Sequence, residues 1–184
     1  MNSVGAVDVH YDDQGFAKAA LVVSGDITLS VPKGEGTTET AQAAAYEPGA
    51  LYKRELPCIR AVLALGPPLD LLIIDGYATL DPEGRPGLGA HAAAEFGLPV
   101  IGIAKTKFRT AVHAVPVLHG TKARRPLYVT STGGLKTPLA AELVSEMAGP
   151  HRIPTAIARA DLLARGRAEP IGWPTSTRAT HLSH

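Results

Sequence analysis

The sequence predicts an α/β domain built on a mixed β-sheet, an antiparallel meander followed by parallel strands, flanked by helices. Three observations predict it. Residues 4–24 hold two strand-like runs joined by Asp12-Asp13-Gln14-Gly15, the residue types of a tight turn. Leu69–Ile74 and Pro99–Ala104 are unbroken apolar runs of strand length, as expected where helices cover both faces of a sheet. Segments with helical apolar spacing lie between and after these runs.

In chain order, Val4–Tyr11 and Ala17–Ser24 read as a hairpin, and Ile27–Val31 as a third antiparallel strand. Pro32–Ala45 is rich in Gly, Thr and Ala without a period and reads as a loop with a short helical piece. Leu56–Leu65 reads as a helix stopped by Gly66-Pro67-Pro68, and Gly87–Phe96 as a helix stopped by Gly97. The two apolar strands end at Asp75-Gly76 and at Lys105. Pro126–Ser131 is a further strand; Thr137–Met147 is a helix with Thr137 as N-cap and Pro138 at the first position, and Ala156–Ala164 is the last helix. The order implies a meander followed by three helix–strand units, the latter paired in parallel. A single domain over residues 1–165 is expected, with the polar, aperiodic residues 166–184 as a flexible tail.

With 184 residues, 45% of them hydrophobic and 19% charged, the chain can bury one ordinary core. The lone Cys58 excludes an intramolecular disulfide and favours a reducing compartment. The first residues lack the basic and apolar regions of a leader, and no apolar run is long enough to span a bilayer. These features predict a cytoplasmic protein without a membrane partner, a monomer by default. The net charge of +1 hides an asymmetry: residues 1–100 carry 6 Lys/Arg against 13 Asp/Glu, residues 101–184 carry 12 against 4. Such a division suits an acidic site beside a surface for polyanions; a chance split of solvated charges gives the same count.

Candidate chemistry rests on carboxylates. Asp8 interrupts an apolar strand, where an ionised group is costly unless it is paired or binds a cation. Asp75 ends a buried strand, at the crevice where α/β sheets bind ligands. Glu55 sits where the chain enters a helix. Three carboxylates without a His or Cys cluster suit a hard cation, Mg²⁺ or Mn²⁺, of the kind that hydrolyses phosphodiesters. Each also has a plain structural reading: Asp8 as a strand-edge residue, Glu55 as a dipole-favoured helix start, Asp75 as a turn or cap. Lys105 can hold a phosphate or remain a solvated loop lysine, and Tyr46, on a Pro/Gly-stiffened turn, can wedge between bases or pack on the surface.

In combination the motifs are far more specific. VDVHY, YEPGALYKRELP, LLIIDGYATLDPEGRPGLGAH, LPVIGIAK and HRIPTAIARADLL, in that order, resemble the endonuclease V family over about residues 4–165. The resemblance implies an RNase H-like fold. It also implies an endonuclease acting on inosine-containing nucleic acid, deoxyinosine DNA above all, that cuts the second phosphodiester on the 3′ side and leaves 3′-hydroxyl and 5′-phosphate ends. By the same resemblance Asp8, Glu55 and Asp75 are metal-binding carboxylates, with Asp161 near the metal, and Lys105 is the active-site lysine. Tyr46 is the strand-separating wedge, and Pro48, Gly49 and Gly76 shape the lesion pocket. Asp81 and Glu83 stand where a histidine and an arginine are usual, Glu47 where an apolar residue is, and Gly134 where a histidine is; the helical segment that usually precedes the first strand is not in this sequence. These departures leave open a catalytically weakened binding protein, as does the fold a nuclease with another target; the residues do not choose DNA over RNA.

Overall fold

The structure is a computed structural model and describes residues 1–40, 47 and 50–174. Tyr46, Pro48 and Gly49 lie outside the described residues. The chain runs β1 (Val4–Tyr11), β2 (Ala17–Ser24), β3 (Pro32–Thr40), α1 (Tyr52–Leu63), β4 (Leu71–Asp75), α2 (Leu88–Phe96), β5 (Val100–Ala104), β6 (Val115–Val117), β7 (Leu127–Thr132), α3 (Thr137–Ser145) and α4 (Thr155–Ala164). The strands form one sheet of order β3-β2-β1-β4-β5-β7-β6. Central β1, β4 and β5 are parallel, and β2, β3, β6 and β7 pair antiparallel on either side.

The alternation of the central strands explains the layers. Leu71 and Ile73 point into one core, with Leu127, Ala160 and Leu163; Leu72 and Ile74 point into the other, with Ile59, Val62 and Ala92. Helices α3 and α4 thus cover one face and α1 and α2 the other. All four residues of Leu71–Ile74 are 1% exposed or less, worth about 1.5–3 kcal/mol each in burial. Among the described residues no helix is long and apolar enough to cross a membrane.

Four expectations need correction. Ile27–Val31 is not a strand: Asp26 accepts hydrogen bonds from the Thr28 backbone and hydroxyl, Leu29 adopts a φ of 50°, and this local turn overrides the β-branched residues. The third strand is instead Pro32–Thr40, expected as loop. Its Gly34 and Gly36 make room for the Trp173 ring, since a Cβ there would stand 2.4 and 2.9 Å from it. Next, β7 runs antiparallel to β5, because the short strand β6, not a helix, precedes it. Finally, Lys136, in extended conformation, occupies the cap of α3; Thr137 is the first helical residue and its hydroxyl lies 3.1 Å from that of Ser131. In the segment expected as a flexible tail, residues 169–173 lie against the fold: the Ile171 N–H donates to Glu35, Gly172 bridges to Glu35, and Trp173 packs on β3. Residues 175–184 are outside the described residues.

Candidate active site

Strand register brings the first two carboxylates together. The parallel pairing of β1 with β4 ends at Val7–Ile74, so Asp8 and Asp75 are the next residues on adjacent strands. Asp8, Asp75, Lys105 and Asp161 line a cleft of about 120 Å³ on the α4 side, closed by Ile153, Ile157 and Ala158. Glu55 comes from the other layer, in the first turn of α1, and shares a small recess with Asp8 and Asp75. Stacking of Tyr52 on His91 at 3.6 Å ties the start of α1 to α2. The structure thus assembles Asp8, Glu55, Asp75, Lys105 and Asp161 from five separate segments, and Gly76 follows Asp75 with a φ of 118° that favours glycine.

The cluster is short of positive charge. Lys105 pairs with Asp75, and Asp161 with Arg165 at 2.7 Å one helical turn away. Burial, then the charges of Asp75 and Asp161, pushes the Asp8 carboxyl up to about 7. Burial, then Asp8 and Asp75, pushes Glu55 up to about 8. Burial also acts to raise Asp161, but the Arg165 guanidinium outweighs it and the net shift is downward. Among the described residues no three His, Cys, Asp or Glu side chains converge as a ready-made cage. Crowded oxygen donors that resist ionisation nevertheless fit a hard divalent cation, which would supply the missing charge.

A pH dependence follows. Both raised carboxyls favour the fold only while protonated, so their contribution is present below about pH 4 and is lost as pH rises through their folded values. In chelator, the melting temperature should fall between about pH 5 and pH 8, and Asp8→Asn should flatten that fall. Thermal melts across this range test it; an unchanged slope in the variant would remove the carboxylate cluster as its source.

Residues inside the quoted motifs to which motif reading gave no role hold this arrangement. Arg152 donates to the carbonyl of Lys105 and, at 2.7 Å, to that of Pro126, fixing the chain where the lysine leaves β5. Gly102 lets the segment after Asp75 cross β5: a Cβ there would stand 2.6 Å from the Gly76 carbonyl and 2.4 Å from the Ala78 nitrogen. Gly102→Ala should therefore push that segment away, costing about 1–3 kcal/mol and lowering turnover as well. Urea unfolding and an activity assay check it, and wild-type values in both would mean that the backbone yields freely.

The sequence departures fall in informative places. Asp81 accepts from the Arg85 backbone at 2.8 Å and pairs with its guanidinium at 3.2 Å, closing a turn and offsetting its own charge. Glu47 pairs with Lys53 at 2.8 Å. Gly134 follows β7 at the end that faces Val100, the sheet end opposite Lys105, and lies away from the carboxylates.

A mixed sheet of this order, with carboxylates gathered where its central parallel strands end, is the architecture of an RNase H-like nuclease. The family model for endonuclease V matches residues 1–162, and the chain belongs to that family of nucleases. The endonuclease V of Streptomyces avermitilis is 33% identical over 182 residues, covering 88% of this chain and 79% of its own. The crystal structure of that endonuclease matches with a TM-score of 0.75 at 29% identity, over 90% of this chain and 80% of the other. Human endonuclease V matches with a TM-score of 0.73 at 26% identity, over 90% and 84%. Ciona intestinalis endonuclease V, in complex with a 24mer DNA containing an inosine followed by a ribo-adenosine, shares the fold with a TM-score of 0.78 at 21% identity, over 90% and 85%.

Proposed function

We propose that this protein is a metal-dependent endonuclease that cuts nucleic acid at the second phosphodiester on the 3′ side of inosine, with deoxyinosine DNA repair as its role. The observation that carries the reading is a pair of recesses that share Asp8 and Asp75 in an endonuclease V fold, one adding Lys105 and Asp161 and the other Glu55. Asp8 and Asp75 would hold Mg²⁺, with Mn²⁺ as a substitute, while Glu55 serves as a direct or water-mediated ligand and Asp161 supports them. Such an ion supplies an activated water and neutralises charge on the phosphate. Lys105, freed from Asp75 as the phosphate enters, stabilises the charge that develops on it. A second cleft of about 280 Å³, lined by Leu51, Tyr52, Gly76, Tyr77 and Leu80, is of a size for one base. We assign the hypoxanthine to it, as enzymes that act on a base hold it extruded in a pocket; the roles that the family resemblance gives Tyr46, Pro48 and Gly49 fall on residues outside those described. The inosine-containing DNA bound by the Ciona protein supports this substrate class. The pairing of Asp81 with Arg85 removes one motive for a weakened binding protein.

The test is an end-labelled duplex with one deoxyinosine, incubated with Mg²⁺ or Mn²⁺ beside an undamaged duplex and an inosine-containing RNA. A single cut 3′ of the lesion, absent in EDTA, is the expected result, and the RNA lane assigns the preferred sugar. Equal cutting of the undamaged duplex would point to another target; inosine-selective binding without cutting, to a binding protein.

A further inference from the structure

A third cleft, about 380 Å³, opens between Gly76–Tyr77 and the loop after β5, lined by Lys105, Lys107 and Phe108. It adjoins both sites described above. With the base cleft it shares Asp75, Gly76 and Tyr77; with the carboxylate cleft it shares Asp75 and Lys105. Its walls are built in advance. The Tyr77 hydroxyl donates to the Thr106 carbonyl and accepts from the Phe108 N–H, both at 2.8 Å, so the loop is tied to the tyrosine. The Phe108 ring lies 5.9 Å from that of Tyr77, tilted by 49°, and remains 42% exposed although it is a large apolar side chain. An exposed aromatic ring beside lysine side chains is the equipment of a single-strand nucleotide site.

We propose that this cleft binds the single nucleotide that joins the inosine to the scissile phosphate, its base stacked on Phe108 and its backbone charge met by Lys107. The inference rests on the functional reading above and deepens it. Because the cleft shares Gly76 and Tyr77 with the base cleft and Lys105 with the carboxylate cleft, a nucleotide bound in it adjoins both a base held beyond Gly76–Tyr77 and a phosphate held at Asp75 and Lys105. The spacing between lesion and cut is then set by two adjoining pockets with Tyr77 as the wall between them. The site also confers a preference at a position that carries no damage.

The experiment uses inosine duplexes in which the nucleotide 3′ of the lesion is adenine, cytosine or an abasic residue, each beside a control with adenine in place of inosine. The wild-type protein should cut the abasic-neighbour substrate on the order of tenfold more slowly than the adenine-neighbour one. Phe108→Ala should lose that discrimination while keeping its preference for inosine, and Phe108→Tyr should restore it. A 2-aminopurine placed at that neighbour position, read in EDTA, should be quenched by the wild-type protein and not by Phe108→Ala, which gives a readout independent of turnover. Circular dichroism melts establish that the variants are folded. If inosine is preferred but neither the abasic neighbour nor Phe108→Ala changes anything, the pocket assignment is wrong and the functional reading stands. If inosine is not preferred over adenine, both are wrong.

Discussion

Replacing Asp75 with asparagine should reduce cleavage by at least about 10²–10³-fold, the scale on which a preorganised charge-stabilising group acts, without destabilising the protein. The two halves of this result have one cause. Asp75 shares its recesses with Asp8, Glu55 and Lys105, so it would contribute an oxygen donor to the proposed cation and adds negative charge beside both buried carboxyls. Burial is the larger reason that Asp8 and Glu55 resist ionisation, and Asp75 adds to it in both. Asparagine keeps the shape and removes the charge. The folded-state values of Asp8 and Glu55 then fall toward their ordinary ones, and the loss of stability with rising pH shrinks. The partner that Asp75 leaves behind, Lys105, is 45% exposed, so breaking that ion pair costs little. In chelator at about pH 8 the variant should melt at or above the wild-type temperature, and at about pH 5 the two should converge. Nicking assays with melts at both pH values check it. A variant that still cuts, or one that loses more than about 2 kcal/mol at pH 8, would show that Asp75 serves the fold rather than the chemistry.

The carboxylates were legible in the sequence because each breaks a local rule. Asp8 is an acid in an apolar strand, and Asp75 ends a run that is buried on both faces. Lys105 was legible for the same reason, following five buried residues. Their supports were not. Arg152 acts through the carbonyl of Lys105, 47 residues away in sequence, and no spacing rule reports such a contact. Gly102 looks like a weak point in a strand, and only the crossing of Gly76–Ala78 over it explains the residue. Arg165 could have been read, since it lies four residues after Asp161 on a helix. Phe108 and Lys107 stand in a segment without period, and their significance comes from Tyr77 lying opposite.

The fold divides in the same way. Strands β1, β2, β4 and β5 follow from apolar patterning because both of their faces are packed by the protein's own helices. Strand β3 was hidden because its pattern answers to something distant. Two of its glycines lie under Trp173, and its one fully buried acid, Glu35, answers to an arginine 124 residues later. Read locally, Gly, Glu, Gly and Thr look like loop. Strand β6 is three residues long with a proline in the middle, which is too short for alternation to show.

The Glu35 pair gives the largest stability effect to be expected away from the carboxylate cluster. Arg159 of α4 donates to both Glu35 oxygens, at 2.9 and 2.7 Å, and to the Glu169 carbonyl at 2.8 Å, while the Ile171 N–H adds a further bond to Glu35 at 3.1 Å. Glu35 is 2% exposed, and the Arg159 hydrogen bonds hold its carboxyl below the usual range. Arg159→Leu leaves that carboxylate buried without its counter-ion, which should cost about 3 kcal/mol at neutral pH; this is the low end for such a break, because the Arg159 side chain is 29% exposed and water reaches it. The sign of the pH effect is fixed. A lowered carboxyl value means that the pair stabilises above the ordinary glutamate range and loses that contribution in acid, whereas in the variant Glu35 can shed its charge by protonation. The deficit should therefore be full at about pH 7 and shrink below about pH 5, and a Glu35→Leu/Arg159→Leu double replacement should recover part of it. The protein has one tryptophan, Trp173, seated on Gly34, Gly36 and Gly66, so its fluorescence reports whether residues 169–173 stay docked. In urea the emission of Arg159→Leu should shift at a lower concentration than its circular dichroism, since the strap loses its anchor before the sheet loses its core. Coincident transitions at the wild-type midpoint would mean that Trp173 packing alone holds the strap and that the ion pair adds nothing.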